Sequence, residues 1–507
     1  MTQSLSAPHH GVMQPRPGRH VRLVAAGVLG AVGIAASSVP GLGDDQLAWL
    51  PVVLVVPLVT WCVLPVHRET WRGVAGGRWT PDVLATISIA AAFAWAVDAA
   101  VAGGDAWHLV PVTLATVVMV VAQQAGTLAG VDHPYGGAPR WLTPLVLVVA
   151  AAAWVAWWIP EGPGPAGSAA VASLLVAGPG ALRLAAPAAL LVGARRAVAI
   201  GMTPGNADTM DIARRIDTIV LDKDGTVTTG DLSVASVDAD DPEHLRNMRW
   251  FAGALEHGSE HPIGRAIAKL SGPGRVTDLV HRPGLGVSGS VDRHPVRAGR
   301  PSWIGVDATE GLGIEIAVEV DGRALGSIRV ADTLRPHAPA DVDRLRGLGL
   351  EPVLVSDRPE TDTTHLAGQA GIATSHAGLD VDQRCSLIQR LQADGRVVAM
   401  VGDHARNAAA MQAADLAIST AGESSGPGIT LADIDVQKVA GAIVLARQTS
   451  DAALAGRRGA IGGMLVPLPF AAAGLIDPVY ASVIALVCLV GVGVRSWRIP
   501  RLDRPAG

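Results

Sequence analysis

A chain of 507 residues, 49% of them hydrophobic and only 17% charged, exceeds one ordinary domain and is too apolar for a typical soluble protein, so we expect it to span a membrane. Its net charge of −5 lacks the basic excess that nucleic-acid binding needs, which argues against a nucleic-acid partner. The three cysteines, Cys62, Cys385 and Cys488, are far apart, which argues against a disulfide framework and a thiolate metal cluster.

Eight apolar runs are long enough, or nearly so, to cross a bilayer. In chain order they are residues 23–42, 47–66, 83–101, 107–128, 141–159, 168–192, 459–476 and 478–494. Arginines cluster before the first run and after the second, sixth and last runs. The positive-inside rule then places both termini and the long central segment in the cytoplasm of a multi-pass protein of the cell membrane.

The runs also predict how the membrane part is divided. Its sections are a disordered cytoplasmic tail at residues 1–20, spans one to four within 21–130, a short loop at 131–140, spans five and six within 141–195, spans seven and eight within 459–496, and a basic tail at 497–507.

The central segment is more polar and alternates short apolar strands with helical patterns, which is typical of an α/β domain with a parallel sheet. The pattern is interrupted at residues 232–330 and resumes only at Ala331, so an inserted domain is expected there. The sheet domain is thereby divided into residues 196–231 and 331–455.

An aspartate follows the first of these strands. Asp222 comes directly after an apolar run, where parallel sheets place their reactive groups, and its carboxylate can attack phosphorus and carry a phosphoryl group. Asp403 follows another such strand and is expected to meet Asp222 at the same edge of the sheet and share Mg²⁺ with it. Asp224 is a third candidate Mg²⁺ ligand, and Asn407 is a weak fourth.

Residues 222–230, Asp-Lys-Asp-Gly-Thr-Val-Thr-Thr-Gly, resemble the D-K-T-G-T-L-T-x-G phosphorylation motif of P-type ATPases, which belong to the haloacid-dehalogenase superfamily. The resemblance implies phosphorylation of Asp222, with Lys223 and Thr226 as further catalytic residues. Asp224 stands where the family has threonine.

Three further segments carry the resemblance with substitutions. Residues 400–411 resemble M-V-G-D-G-x-N-D-A-P-A-L, but Arg406 and Asn407 replace the asparagine and the second aspartate. Ser356 is one position away from the threonine of T-G-D-N, and it is the remaining candidate for a phosphate-binding hydroxyl. Arg384 aligns with the lysine of P-E-D-K and keeps its positive charge.

A second motif pair resembles the nucleotide-binding domain of the heavy-metal, or type IB, P-type ATPases. It consists of Ser-Glu-His-Pro at residues 259–262 and G-x-G-x-x-G at residues 284–289. The resemblance implies that four residues contact ATP. They are Glu256, His261, Gly284 and Gly286.

The sixth apolar run departs from the family. Gly178, Pro179 and Gly180 stand where the family has Cys-Pro-Cys, so the thiolates that bind soft cations are missing, and no transported-metal site is expected. The family's actuator domain, with its T-G-E motif, is also missing, since only the loop at residues 131–140 lies at its position. We therefore consider a protein partner that supplies the actuator function.

The expected fold is a multi-span α-helical membrane protein with a cytoplasmic α/β haloacid-dehalogenase-like, Rossmann-like phosphorylation domain and an inserted α+β nucleotide-binding domain. ATP and Mg²⁺ are the implied cofactors. Three interpretations remain open. In the first, the chain is a divergent family member that binds ATP and is phosphorylated at Asp222, with metal transport impaired or lost. In the second, it is a self-hydrolysing ATPase or phosphatase in which Asp224 protonates the leaving group and activates water. In the third, it is a regulatory nucleotide-binding pseudo-ATPase.

Overall fold

The computed structural model describes residues 19–37, 50–102, 106–131, 138–204, 207–239, 241–242, 244–309, 311–420 and 427–500. The chain divides into two compact units. The first runs to Arg196 and resumes at Arg447, and the second comprises Ala197–Ala446. The expected disordered tail lies outside the described residues, except that Arg19 and His20 already belong to the first helix.

The N-terminal part of the first unit is helical throughout its described residues, apart from short connections. Its helices are α1 (Arg19–Ser37), α2 (Leu50–Pro57), α3 (Leu64–Ala75), α4 (Pro81–Val101), α5 (Leu109–Leu128), α6 (Leu142–Glu161), α7 (Pro163–Val176) and α8 (Gly180–Ala199). Proline in the first turn favours the starts of α3, α4 and α7, because its missing N–H has no helical partner there.

The second unit alternates strands and helices as the sequence predicts. They are β1 (Met202–Pro204), α9 (Ala207–Arg215), β2 (Thr218–Asp222), β3 (Thr228–Ala239), α10 (His244–Glu256), α11 (Pro262–Ala268), β4 (Val276–Arg282), β5 (Gly286–Val291), β6 (His294–Gly299), α12 (Pro301–Ile304), β7 (Ile314–Val320), β8 (Arg323–Leu334), α13 (Ala338–Gly347), β9 (Glu351–Val355), α14 (Glu360–Ala370), β10 (Thr374–His376), α15 (Val381–Ala393), β11 (Val398–Val401), α16 (His404–Ala413), β12 (Leu416–Ser419) and β13 (Gly428–Leu431).

A seven-stranded sheet has the order β1-β13-β12-β11-β2-β9-β10, and its pairs are parallel except for β1 with β13. Every residue of β2 is buried, as expected for a central parallel strand that is covered on both faces. Asp222 pairs with Val355 of β9, and Leu221 pairs with Val401 of β11. The residues that follow these three strands therefore meet at one edge of the sheet.

The inserted domain is an antiparallel six-stranded sheet of order β3-β8-β7-β6-β5-β4. Its apolar core packs against α10, with Met248 and Leu255 fully buried. Residues 331–334 belong to β8 and pair with β3, so the structure assigns them to this sheet. The parallel sheet resumes only at β9, later than the sequence pattern suggests. The sequence does not show which strand a segment pairs with, which explains the difference.

The remaining helices are α17 (Val436–Leu465), α18 (Leu468–Ala472) and α19 (Pro478–Trp497). Among the described residues, five helices are long and apolar enough to span a membrane, and a sixth candidate is a pair bent by 56° at Pro51–Cys62 and Leu64–Ala75. Eight spans were predicted. The first, at residues 23–42, lies partly outside the described residues, within which its apolar helix is Val21–Val32. The seventh is interrupted at Pro467, between α17 and α18.

Within the helical unit, Arg183 forms an ion pair with Asp82. Arg183 lies in the first turn of α8 and Asp82 in the first turn of α4, and each residue is only 8% exposed. Because an unpaired charge among apolar helices is costly, this pair fixes the two helix starts to each other.

We predict that Asp82→Asn lowers the free energy of unfolding by about 3–5 kcal/mol, because it leaves the buried guanidinium without its counter-ion. Thermal unfolding in detergent, followed by tryptophan fluorescence, measures the change. Asp98→Asn alters an exposed carboxylate of the same helix and is the control. The double variant Asp82→Leu with Arg183→Met, which removes both charges, is expected to recover most of the loss. A single variant as stable as the Asp98 control would contradict the prediction.

Candidate functional site

The edge formed by β2, β9 and β11 gathers most of the predicted catalytic residues. Asp222 is 3% exposed, and Asn407 Nδ2 donates a hydrogen bond of 2.8 Å to its Oδ2. Arg384 Nη1 donates to Asn407 Oδ1 at 2.6 Å and lies 3.5 Å from Asp222 Oδ1. Burial raises the pKa of Asp222, although Asn407 and Arg384 oppose the rise. Both carboxylate oxygens of Asp222 therefore have a partner, Asn407 at Oδ2 and Arg384 at Oδ1.

Gly402 allows this close arrangement. A Cβ atom at this position would lie 2.8 Å from Asp222 Cβ and 2.9 Å from Asn407 Nδ2. Any larger residue would therefore push the end of β11 away from the predicted nucleophile.

Lys223 and Thr226 are both buried beside Asp222. Lys223 Nζ lies 2.7 Å from Asp224 Oδ1 and 3.4 Å from Asp332 Oδ2. Asp332 also accepts a hydrogen bond from Thr228, and Arg335 donates to the carbonyl oxygens of Gly225 and Thr228. The sequence interpretation missed Asp332 and Arg335 as site residues. The only signal was their place in the polar segment at residues 331–336.

Arg406 lies between Asp224 and Asp403. Its Nη1 is 2.9 Å from Asp224 Oδ2, and its Nε is 3.8 Å from Asp403 Oδ2. Burial alone would raise the pKa of Asp224, but the hydrogen bond and charge of Lys223, together with Arg406, outweigh it and lower the pKa. Asp224 is therefore an ionised carboxylate with an ion pair at each oxygen.

The predicted Mg²⁺ ligands can be tested against this geometry. Mg²⁺ requires several oxygen ligands in a nearly octahedral arrangement. In the described parts of the chain, no three Asp, Glu, His or Cys side chains are grouped so as to hold a metal ion. Asp224 is already paired with Lys223 and Arg406, and the guanidinium of Arg406 stands between it and Asp403. The residues in this arrangement do not fit Mg²⁺.

Ser356 comes directly after β9 and is 1% exposed. Its Oγ accepts a hydrogen bond of 3.0 Å from the backbone N–H of Arg358. In this arrangement the hydroxyl shapes the turn after the strand, and its predicted role in binding phosphate stays a prediction.

The four residues predicted to contact ATP line a single cavity of about 1,250 Å³ in the inserted domain. Glu256 ends α10, is 4% exposed, and its Oε2 has no hydrogen-bond partner in the protein. Burial raises the pKa of Glu256, opposed by Ser259 and His281. His261 caps α11, where its Nδ1 accepts from the backbone N–H of Ile263 at 3.3 Å.

Glycines keep one wall of this cavity free of side chains. Gly286 of β5 pairs with Gly299 of β6, and a Cβ atom on Gly299 would lie 2.9 Å from the Cα of Gly286. Gly284 has φ +77°, a left-handed conformation that favours glycine. A Cβ atom on Gly286 or Gly299 would also lie 2.8 Å or 2.6 Å from the ring of Trp303, so these two glycines make room for that ring, whereas the space beside Gly284 is open.

A second cavity, of about 690 Å³, lies at the sheet edge formed by β2, β9 and β11, which we call the catalytic edge because it gathers the predicted catalytic residues. Its lining includes Lys223, Asp224 and Arg406. Four residues line both cavities, namely His261, Ile263, Ile314 and Arg358. The glycine-lined cavity and the catalytic edge are thus neighbouring parts of one cleft within the second unit.

In the helical unit, Gly178 and Pro179 separate α7 from α8. The cavity beside them measures about 20 Å³, roughly the space of one water molecule. Its lining residues include Ser88, Met119 and Ser482 but no Cys, His, Asp or Glu. A Cβ atom on Gly180 would overlap the side chain of Val118. The predicted absence of a transported-metal site stays a prediction.

Comparisons with known proteins agree with this architecture. A family model of haloacid dehalogenase-like hydrolases matches residues 216–415. A copper-exporting P-type ATPase of Mycobacterium tuberculosis is 33% identical over 428 residues, which cover 80% of this chain and 55% of that protein. A probable copper-exporting P-type ATPase V of the same species is 31% identical over 466 residues, covering 87% of this chain and 58% of that protein.

Among solved structures, a zinc-transporting PIB-type ATPase in the E2.Pi state has the same fold, with a TM-score of 0.79 at 16% identity over 96% of this chain and all of that one. This chain spans about half the length of the curated relatives that it matches. The predicted fold class is confirmed. The apolar spans, the haloacid dehalogenase-like domain and these relatives together show that the chain is a multi-pass membrane protein that belongs to the heavy-metal P-type ATPase family.

Proposed function

We propose that this protein binds ATP in the cavity of the inserted domain, with adenine against Gly284 and Gly286. The observation that carries the proposal is Glu256, whose buried Oε2 is an acceptor without a partner. A buried carboxylate oxygen in this state is costly unless a ligand donates to it. The exocyclic amino group of adenine is such a donor, and the cavity is large enough for a nucleotide.

The phosphates would then extend into the second cavity. Lys223, Arg358 and Arg406 line this cavity and supply positive charge there. Since ATP is a cytoplasmic ligand, this proposal assigns the second unit to the cytoplasm, in agreement with the arginine clusters. The cytoplasmic location of both termini stays a prediction.

Copper export, as named for the relatives, is not proposed for this chain. The small cavity at Gly178 and Gly180, whose lining holds no Cys or His and only the thioether of Met119 as a soft group, supports impaired or lost metal transport. The connection between α5 and α6, whose residues 132–137 lie outside the described part, is too short for an actuator domain. A partner that supplies the actuator function therefore stays a prediction.

Phosphorylation of Asp222 is a second candidate function, supported by the contacts of Arg384 and Asn407 that hold its carboxylate. In this reaction an oxygen of Asp222 forms a bond to the γ-phosphorus of ATP, and the bond to ADP breaks. The self-hydrolysing alternative needs a protonated Asp224 to assist the leaving group, and the lowered pKa of Asp224 opposes that role. The geometry therefore supports nucleotide binding most strongly.

We predict that wild-type protein binds ATP more tightly as the pH rises above the ordinary Glu range. Burial raises the pKa of Glu256, so the neutral acid persists above about pH 4.5, and the stronger carboxylate acceptor appears only as the pH passes the raised pKa. Glu256→Gln, which cannot ionise, is expected to bind roughly tenfold more weakly at neutral pH and without this part of the pH dependence. Isothermal titration calorimetry of the full chain in detergent measures the affinities.

The control for this titration is Glu260→Gln, an exposed neighbour that carries the same change of charge. His261 and His281 line the same cavity and are present in every variant, so only the difference between pH profiles is assigned to Glu256. Equal ATP affinities of wild type and Glu256→Gln at all pH values would contradict the proposed binding mode.

The second candidate predicts an acid-stable, hydroxylamine-sensitive label on the full chain after incubation with γ-labelled ATP. Asp222→Asn removes the attacking oxygen and is expected to abolish the label, whereas Asp231→Asn, at an exposed position nearby in the chain, retains it. Gel autoradiography measures the label. An unlabelled wild type would exclude phosphorylation but leave ATP binding standing.

A further inference from the structure

Arg406 makes contacts of the kind that a bound cation would make at this edge. Its guanidinium donates to Asp224 Oδ2 at 2.9 Å and to the backbone oxygen of Asp224 at 3.5 Å. It also lies 3.8 Å from Asp403 Oδ2. Two carboxylates and a carbonyl, from two separate segments of the chain, thus surround one positive group. Oxygens of these types are the ligands that hard divalent cations prefer.

The charges at this edge balance without a metal ion. Four carboxylates face four cationic side chains; the carboxylates are Asp222, Asp224, Asp332 and Asp403, and the cations are Lys223, Arg335, Arg384 and Arg406. A divalent cation between Asp224 and Asp403 would have to displace the guanidinium or remain beside it against like-charge repulsion. Both alternatives are unfavourable for metal binding.

The position of Arg406 on the backbone supports this role. It lies in the first turn of α16, which begins directly after Asp403, so the helix directs its side chain back toward Asp224. Asp222, Asp224 and Asp403 raise the pKa of Arg406 against the effect of burial. Its side chain is half exposed and lines the second cavity, so the guanidinium is accessible to phosphate.

From these contacts we propose that Arg406 takes the place of the divalent cation at this centre, so that the protein binds its nucleotide in the metal-free form. The inference rests on the proposed ATP site and specifies which form of the ligand it takes. Arg406, Lys223 and Arg358 meet the phosphate oxygens as N–H donors, and a guanidinium pairs well with two oxygens of one phosphate. Metal-free ATP carries more negative charge than its Mg²⁺ complex and suits such a site.

The test measures two quantities on the full chain in detergent. One is ATP affinity by calorimetry, in EDTA and in excess Mg²⁺. The other is uptake of Mn²⁺ alone, by electron paramagnetic resonance, without nucleotide. We expect wild type to bind ATP in EDTA at least as tightly as with Mg²⁺, and to take up no Mn²⁺ at this centre.

Arg406→Asn introduces the residue that the family motif carries at this position and frees Asp403 and one oxygen of Asp224, whose other oxygen stays paired with Lys223. It is expected to weaken ATP binding in EDTA roughly tenfold, to regain affinity with Mg²⁺, and to take up one more Mn²⁺ than wild type. Arg406→Lys keeps the charge and should retain metal-independent binding. Arg344→Asn, which removes an exposed arginine on α13 outside both cavities, is the control and should match wild type in both measurements.

The outcomes separate this inference from the proposed function. Wild type that binds ATP only with Mg²⁺ overturns the metal-free form and leaves the ATP site standing. Wild type that binds no ATP in either condition refutes the ATP site, and the Mn²⁺ measurement then decides the role of Arg406. Uptake of Mn²⁺ that is equal in wild type and Arg406→Asn overturns the inference, provided that thermal unfolding shows the variant to be folded. If Arg406→Asn is unfolded, loss of EDTA binding in folded Arg406→Lys overturns it instead.

Discussion

The buried carboxylate of Asp222 needs positive charge nearby, and the organisation of the catalytic edge follows from that need. Asp222 ends a strand that is covered on both faces, so water contributes little to stabilising its charge. Arg384 contributes a charge from α15, and Asn407 from α16 joins the guanidinium to the carboxylate. The helices α15 and α16 and the strands β2, β9 and β11 are thereby held around the two carboxylate oxygens of Asp222. The close approach of Gly402 is part of the same arrangement.

Each of the two units meets the need for positive charge with arginine. In the soluble unit, Arg406 lies between Asp224 and Asp403, and in the helical unit Arg183 pairs with Asp82. In the family motifs a metal ion is the mobile charge, bound or released as the pump works. An arginine side chain is covalently fixed and is always charged. In both places the positive charge is therefore a permanent part of the chain.

Sequence reasoning located much of this site because strand ends and motif order are local properties. Asp222 was predicted from its place directly after an apolar strand. Glu256, His261 and the cavity glycines were implied by the family resemblance, and the structure brings these residues into one cavity. The pairing of Arg406 could not be predicted, since motif alignment shows which residue is substituted but not where a long, flexible side chain points. The sequence showed only that Arg406 replaces the asparagine of the family motif.

The span count shows a similar limit. A hydropathy pattern measures how apolar a run is but not whether its helix is continuous, and two prolines, Pro467 and Pro469, lie at the break after Leu465. The change of sheet at residues 331–334 was missed for a related reason, because the pairing partner of a strand is a non-local property. Both errors concern how segments of the chain are connected or paired in three dimensions, and a hydropathy pattern along the sequence does not predict this.

The close packing of Val118 against Gly180 bears on the history of this protein. Restoring a cysteine at residue 180 takes one substitution, but the new side chain would collide with the neighbouring helix before it could bind any ion. A cysteine at residue 180 would therefore also require Val118 to be replaced or moved, in a region whose cavity has only about the volume of one water molecule. If metal transport has been lost, as proposed, this packing would make the loss difficult to reverse, because a single substitution would not suffice.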